Sequence, residues 1–245
     1  MDYSKITNFH LVGCGGVGTK FLRDTADSRQ FKIENITFWD SDIIEEKNLV
    51  RQLFTKEEIG MSKSDVLHNR MDCSPYSNLM AESGMVSSLG DFSRSNAVGM
   101  GLANKPWEEN TIIFMATDNL ESRVLSLELL DKWGGEDSMV LSAANADAAD
   151  GVGLGCTAWI YRKEFKDTDK DPRTRHDLSC KEQQVNTGRP CAESESSQTN
   201  IANSGASQRA IELLTIWTSS KVLENKKILD AMPVEHSLFW RQAAL

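Results

Sequence analysis

A glycine-rich turn near the start of the chain constrains the fold more than any other feature. Residues 10–18 read HLVGCGGVG, a G-x-G-G-x-G pattern formed by Gly13, Gly15, Gly16 and Gly18. Glycines between a strand and a helix allow a tight turn and the close approach of a phosphate. The first amides of the helix and the positive end of its dipole favour an anion there. The pattern predicts a nucleotide-phosphate site, with a plain tight turn as the alternative.

An acidic pair follows the second predicted strand. The first 40 residues have the pattern of a βαβ unit, with a strand at 6–13, a helix at 16–28 and a strand at 34–40. Asp40 comes 22 residues after Gly18, where a carboxylate can accept hydrogen bonds from ribose hydroxyls. We therefore interpret Asp40 as a nucleotide ligand. For Asp42 a ligand role and a solvated strand end explain the sequence equally well.

Composition narrows the class of protein. The chain has 245 residues, 40% hydrophobic and 26% charged, which suits one large α/β domain. Its net charge of −9, without a dense Lys/Arg run, argues against nucleic-acid binding. No segment approaches the ~20 apolar residues of a membrane span, and the first ten residues lack the apolar core of a signal peptide, so we expect a cytoplasmic protein. Five cysteines without a C-x-x-C pair are expected to be free thiols.

Three polar segments follow the acidic pair. They read Asn-Leu-Val-Arg-Gln at 48–52, Gly-Met-Ser-Lys at 60–63 and Thr-Asp-Asn at 117–119. Arg51 and Lys63 carry the groups that bind a triphosphate and its departing pyrophosphate. Asp118 follows an apolar strand, and ligand crevices form at the carboxyl ends of parallel strands. Taken singly, each of the two cations is more typical of a protein surface than of a binding site. Asp118 could instead cap the helix that follows it.

The order of these elements resembles the ThiF/MoeB family and the adenylation domains of ubiquitin-activating enzymes. Five elements occur in the family's order: the glycine turn, Asp40 with Asp42, and the segments at 48–52, 60–63 and 117–119. The general layout also resembles divergent ThiF-like proteins of plasmids and phages. The resemblance implies an α/β fold with a Rossmann-like, mostly parallel sheet and helices on both faces. It implies a single adenylation domain over 1–245, with a crossover loop at about 162–197 and a C-terminal tail at about 226–245.

The resemblance also implies ATP and Mg²⁺ as cofactors and gives roles to individual residues. In the family the glycine turn lies against the phosphates, and the first aspartate of the pair, here Asp40, binds ribose. Arg51 and Lys63 would bind the phosphates, and Asp118 would be tied to magnesium and catalysis. We add Asp42, Asn48 and Gln52 to the expected nucleotide contacts. Attack of a carboxylate on the α-phosphorus builds charge on non-bridging oxygens, which such cations stabilise. We interpret Arg123 as structural.

The crossover loop of the family can hold a cysteine that takes over the activated partner. Cys191, just before a predicted long helix at 199–219, is our candidate for this catalytic step, and Cys180 is the other. For each, an incidental free thiol is the alternative. Because the family's two C-x-x-C pairs are absent, we expect no structural zinc of that kind. Relatives also place an N-terminal arginine in their partner's site, whereas Lys5 is the sole cation before the first strand here. We therefore expect a substitute residue, or slow or lost adenylation.

These expectations combine into one leading function and two alternatives. The leading function is adenylation of the C-terminal carboxylate of a small ubiquitin-like or sulfur-carrier protein by a homodimer, with transfer to a cysteine as a second step. A catalytically silent nucleotide-binding partner subunit is the first alternative, suggested by the missing N-terminal arginine. An NAD-dependent oxidoreductase is the second, because the same glycine turn suits a dinucleotide. No membrane or nucleic-acid partner is expected.

Overall fold

The chain folds around one seven-stranded sheet. The computed structural model describes residues 5–28, 31–71, 78–82, 110–118, 120–147, 153–176, 200–222 and 231–241. In chain order the elements are β1 (Lys5–Val12), α1 (Gly16–Ser28), β2 (Lys32–Trp39), α2 (Lys63–Met71), β3 (Asn78–Glu82), β4 (Thr111–Met115), α3 (Leu120–Trp133), β5 (Met139–Asp147), β6 (Gly153–Tyr161), α4 (Pro172–Arg175), α5 (Asn200–Val222) and β7 (Glu235–Arg241).

The strand order β3-β2-β1-β4-β5-β6-β7 puts β1 and β4 side by side near the centre of the sheet. The first five strands in this order pair in parallel, while β6 and β7 pair antiparallel. Leu11 of β1 is in register with Phe38 of β2 and Phe114 of β4. After β1 the chain forms β2 and β3 on one side of it and then crosses to the other side to form β4. This change of direction opens a crevice at the carboxyl ends of β1 and β4.

Helices cover both faces of the sheet. Phe9 of β1 stacks on Phe21 of α1 with ring centroids 5.6 Å apart, and Phe21 lies 4.4 Å from Phe114 of β4. Helix α5 packs beside α1 and against β5 and β6, whereas α3 packs against β4 and β5. Because the β1–β2 and β4–β5 connections cross the sheet in opposite directions, right-handed crossovers place α1 and α3 on opposite faces. All five residues of β4 are buried, as expected for a parallel strand covered on both faces.

The predicted Rossmann-like, mostly parallel fold is confirmed. The helix predicted at 16–28 has those bounds. Strand β2 ends at Trp39, so Asp40 is the first residue after it. The C-terminal tail predicted at about 226–245 contributes the backbone of β7, in which Trp240 lies opposite Leu154. The single-domain boundaries stay a prediction. Among the described helices, none combines the length and apolar character needed to cross a bilayer.

The core contains a buried titratable side chain, His10, on the central strand. Its Nδ1 accepts a hydrogen bond from Trp39 Nε1 at 3.2 Å, and the residue is 4% exposed. Burial lowers the pKa of His10 from 6.5 to about 4. Between these values the unfolded chain binds a proton that the folded chain does not, so the stability contribution of neutral His10 is present above pH 6.5 and is lost as the pH falls toward 4.

We expect stability to depend more steeply on pH in the wild type than in His10→Asn. The asparagine oxygen can accept the hydrogen bond from Trp39 but does not titrate. Below pH 6.5 the free energy of unfolding of the wild type should fall by about 1.4 kcal/mol per pH unit more than that of the variant. Urea unfolding of both proteins between pH 6.5 and 4.5 measures the difference. Equal slopes would show that His10 does not titrate in this way.

Candidate nucleotide-binding site

A cleft of about 720 Å³ opens at the carboxyl ends of the parallel strands. Nine of the predicted site residues line it, although they come from five separate parts of the chain: Gly13, Gly15, Gly16, Asp42, Asn48, Arg51, Gln52, Lys63 and Asp118. Gly18 and Asp40 lie behind this lining, in the turn and at the end of β2. Cys180 and Cys191 lie outside the described residues. The structure therefore brings the two predicted cations, the glycine turn and Asp118 to one cleft.

The glycines of the turn are needed for different reasons. Gly13 has a φ of +96°, and a Cβ there would lie 2.8 Å from the backbone of Ala116 and Thr117. A Cβ at Gly18 would overlap the carbonyl oxygen of Gly13. At Gly15 the nearest atom would be Gln52 Nε2, at an ordinary 3.7 Å. Close packing of the chain on itself thus requires glycine at Gly13 and Gly18, while the position of Gly15 is open toward the cleft.

Gly16 is the contact point between α1 and α5. A Cβ on Gly16 would lie 2.7 Å from Cγ of Asn203, a residue of α5 that is 1% exposed. Asn203 Nδ2 donates to the carbonyl oxygen of Arg51 at 3.2 Å, and its Oδ1 accepts from Asn145 Nδ2 at 2.6 Å. The contacts of Asn203 could not be predicted from the sequence, because no short-range pattern signals a contact between residues this far apart in the chain.

Asp40 ties the glycine turn to the end of β2. Its Oδ2 accepts the backbone N–H of Cys14 at 2.7 Å, and its Oδ1 accepts that of Asp42 at 2.8 Å. Burial raises the pKa of Asp40, while the Lys63 ammonium and these two N–H groups act in the opposite direction. A carboxylate has lone pairs left for further donors. Its role as a ribose ligand stays a prediction.

Cys14 within the turn is a buried and unreactive thiol. Burial raises its pKa well above the usual value, and the Asp40 carboxylate acts in the same direction. The thiol is therefore protonated at neutral pH and is a poor nucleophile. Cys14 and Cys156 are the cysteines in the described part of the chain, and both are thiols without a disulfide bond, as predicted.

The two predicted cations differ in what they contact. Lys63, 5% exposed, places Nζ 2.7 Å from Oδ2 of Asp42, which is itself largely exposed. Arg51 Nε and Gln52 Oε1 are buried and have no hydrogen-bond partner within the described residues. An unsatisfied buried polar atom costs about 1–3 kcal/mol, so such atoms in a cleft favour a polar ligand. The donor set fits the phosphates of a nucleotide.

Asn48 shapes the turn that carries Arg51 and Gln52. Its Oδ1 accepts the backbone N–H of Glu45 at 2.9 Å. Its own carbonyl oxygen accepts the N–H groups of Arg51 at 3.2 Å and Gln52 at 2.8 Å. Asn48 thus has a structural function that the sequence analysis did not assign, and its predicted contact with the nucleotide stays a prediction.

Asp118 is exposed in the cleft just after β4. Buried Arg123 holds the backbone before it, since its guanidinium donates to the carbonyl oxygen of Thr117 and, at 2.6 Å, to Ser142 Oγ. Burial lowers the pKa of Arg123 to about 10, the Asp118 carboxylate acts in the opposite direction, and the group stays charged at neutral pH. This geometry agrees with our interpretation of Arg123 as structural.

A magnesium ion is compatible with this donor set. In the part of the chain that the structure describes, no three His, Cys, Asp or Glu side chains form a ready-made metal site. Mg²⁺ is commonly held by one or two carboxylates together with nucleotide phosphates and water. Asp118, an exposed carboxylate in the same cleft as the two cations, fits such a shared ligand set.

The far end of the cleft is aromatic and was not anticipated from the sequence. Trp159 of β6 and His176 stack with ring centroids 6.4 Å apart, and both line the cleft. Glu235 of β7 accepts from Arg175 at 2.7 Å and lies 3.0 Å from His176 Nε2. The charge of Arg175 is thereby balanced, so this end of the cleft is less cationic than the end beside Arg51.

Comparison with known proteins identifies relatives of this arrangement. The model of the ThiF family matches residues 3–134, more than half of the chain. No curated protein sequence matches. The structure of E. coli MccB with ATP superposes with a TM-score of 0.59 and 15% identity, covering 87% of this chain and 56% of MccB. The chain thus spans just over half the length of MccB.

Two further solved structures have the same fold. E. coli TcdA, a tRNA N6-threonylcarbamoyladenosine dehydratase, gives a TM-score of 0.53 at 15% identity and covers 89% of this chain and 88% of its own. PaaA gives a TM-score of 0.56 at 13% identity and covers 96% of this chain and 60% of its own. At these identities the likeness is one of fold.

Proposed function

The chain belongs to the ThiF family, and on that basis we propose that it binds ATP with Mg²⁺ and adenylates a carboxylate of its substrate. The observation that carries the proposal is the convergence of Arg51 and Lys63 beside the first turn of α1. Arg51 Nε is buried there without a partner among the described residues. A bound triphosphate would supply the missing acceptor. The structure of MccB, which shares the fold, contains ATP.

The residues of the cleft suit each part of that reaction. A carboxylate oxygen attacks the α-phosphorus, the bond to the bridging oxygen of pyrophosphate breaks, and pyrophosphate leaves with the electron pair. Arg51 and Lys63 would hold the phosphates and the charge that develops on them. Asp118 would hold Mg²⁺, which neutralises charge on the phosphate oxygens when bound. Asp40 would accept hydrogen bonds from the ribose hydroxyls.

We propose as substrate the C-terminal carboxylate of a small ubiquitin-like or sulfur-carrier protein, acted on by a homodimer. The cleft extends past the cations to Trp159 and His176, which leaves room for an acyl group beside a nucleotide. MccB has been crystallised with MccA and a nucleotide analogue, so that protein accommodates a second ligand beside the nucleotide. Transfer of the activated group to Cys191, or to Cys180, is the proposed second step.

Exchange of radiolabelled pyrophosphate into ATP tests the proposal. We expect Lys63→Ala to lower the exchange rate by about 10–100-fold, because a charge-assisted hydrogen bond to a phosphate is lost. The fold should be retained, since Asp42, the partner of Lys63, is exposed and becomes hydrated. Lys56→Ala is the matched control, because Lys56 is an exposed lysine outside the cleft lining, and it should change the rate less than twofold.

The assay distinguishes the alternatives when calorimetric binding of ATP and NAD is measured on the same samples. Exchange that requires both a carrier protein and Lys63 supports carboxylate adenylation. ATP binding without exchange for any carrier indicates a catalytically silent subunit. Preference for NAD over ATP indicates an oxidoreductase. Exchange that is unchanged in Lys63→Ala contradicts the role given to this lysine.

A further inference from the structure

We infer that Asn203, in the first turn of α5, is a positioning residue that holds Arg51 where its guanidinium meets the phosphates. This inference rests on the proposed function, because it concerns how the same cleft binds ATP. It assigns a function to a residue about 150 positions away from Arg51 in the chain, on a helix that has no glycine motif and no charged group in the cleft.

The side-chain amide of Asn203 is bonded at both ends. Its Nδ2 lies 3.2 Å from the carbonyl oxygen of Arg51, and its Oδ1 lies 2.6 Å from Asn145 Nδ2. A backbone carbonyl can only accept, so the NH₂ end of Asn203 must face Arg51. The remaining oxygen faces Asn145, which must then donate. The contacts therefore fix the orientation of the amide, and the residue is 1% exposed.

Asn203 also sets the distance between the Arg51 turn and the start of α1. Its side chain packs against Gly16 so closely that a Cβ there would lie 2.7 Å from Asn203 Cγ and 3.0 Å from the Arg51 carbonyl oxygen. Gly16 provides one of the first amides of α1, which have no intrahelical acceptor. One side chain thus contacts both the backbone of the arginine and the helix terminus that would face the same phosphates.

A second asparagine of the same helix holds the neighbouring peptide unit. Asn200 Nδ2 donates to the carbonyl oxygen of Val50 at 2.9 Å. Two consecutive carbonyl groups, of Val50 and Arg51, are therefore bound by α5. Within the described residues Arg51 Nε has no acceptor of its own, so the aim of the guanidinium depends on where this backbone is held.

Nucleotide binding by defined variants tests the inference. Asn203→Ala and Asn203→Leu, whose side chain branches at Cγ as that of asparagine does, both remove the two hydrogen bonds. We expect each to weaken ATP binding about tenfold, while adenosine binding stays within twofold. Asn200→Ala, at an exposed position that tolerates truncation, should weaken ATP binding about threefold and leave adenosine binding within twofold. Gln208→Ala is the matched control, because this amide of α5 bonds Asp24 instead, and it should leave both affinities unchanged.

The effect of Asn203→Ala should disappear in an Arg51→Ala background, because no guanidinium is left to place. Calorimetric titration with ATP and adenosine, together with thermal unfolding of each variant, gives this comparison. Equal losses for ATP and adenosine in the Asn203 and Asn200 variants would overturn the inference, as would a tenfold loss that persists without the Arg51 side chain. ATP binding that fails in the wild type would overturn the proposed function and this inference together. Normal ATP binding in a folded Asn203 variant would overturn the inference alone.

Discussion

Replacing Asp118 by asparagine should lower the rate of ATP–pyrophosphate exchange by about 10²–10³-fold and change ATP affinity much less. Asparagine keeps the size and shape of the side chain and removes its negative charge. In the proposed reaction that charge would hold Mg²⁺, which would neutralise charge that develops on the phosphate oxygens, so its loss should affect the transition state more than the bound nucleotide. The magnitude is that typical of removing one electrostatic contact made in the transition state.

The surroundings of Asp118 allow its charge to be removed with little effect on the fold. The side chain is exposed, and the backbone before it is held by Arg123, whose contacts do not involve the carboxylate oxygens. The Asp118 charge acts on the Arg123 guanidinium without a hydrogen bond, so thermal stability should fall only slightly. Asp169→Asn, at an exposed aspartate outside the cleft lining, is the matched control and should retain full exchange. Exchange by Asp118→Asn at the wild-type rate across a titration of Mg²⁺ would remove Asp118 from the reaction.

The features that could be predicted from the sequence are those encoded within one short segment of the chain. The glycine turn, the acidic pair after β2 and the Thr117-Asp118 pair after β4 each follow a strand whose apolar run is visible in one dimension. Their positions at the ends of neighbouring parallel strands then imply one shared crevice. The cleft that gathers Arg51, Lys63 and Asp118 follows from that rule.

The contacts that could not be predicted join segments remote from each other. Asn203 meets Arg51, and Trp159 and His176 approach Glu235 of β7, only because α5 and the antiparallel strands fold back on the parallel half of the sheet. A single asparagine in a helix has no periodicity or motif to mark it. A family resemblance also gives no signal for contacts that its motifs do not include.

The four glycines of the turn differ in their surroundings, which the sequence alone does not show. From the sequence, the four glycines are expected to allow the tight turn and the close approach of a phosphate. The structure gives Gly13, Gly16 and Gly18 close packing partners within the protein, and leaves Gly15 open toward the cleft. Gly13 and Gly16 line the cleft beside Gly15 and are also packed against the protein, so only the neighbours in space show at which positions the fold itself requires glycine.

Gly16→Ala should consequently destabilise the fold by about 2–3 kcal/mol, whereas Gly15→Ala should change stability by less than about 0.5 kcal/mol. Among the described glycines only Gly13 and Gly60 have a positive φ, so the cost at Gly16 comes from the clash with Asn203 and not from backbone strain. The amide of Asn203 cannot swing away without losing its hydrogen bonds to Arg51 and Asn145. Urea unfolding of the two variants measures the contrast.

A double variant separates this clash from a general intolerance of side chains in the turn. If the methyl group of Gly16→Ala is opposed by the Asn203 amide, Asn203→Ala removes the opposing atoms, and the double variant should be about 1–2 kcal/mol more stable than the sum of the single effects predicts. ATP affinity should remain low, because the backbone of Arg51 is still released. Strict additivity of the two stability changes would contradict a direct contact between Asn203 and the methyl group. A Gly16→Ala protein as stable as Gly15→Ala would show that α5 does not pack tightly against the glycine turn.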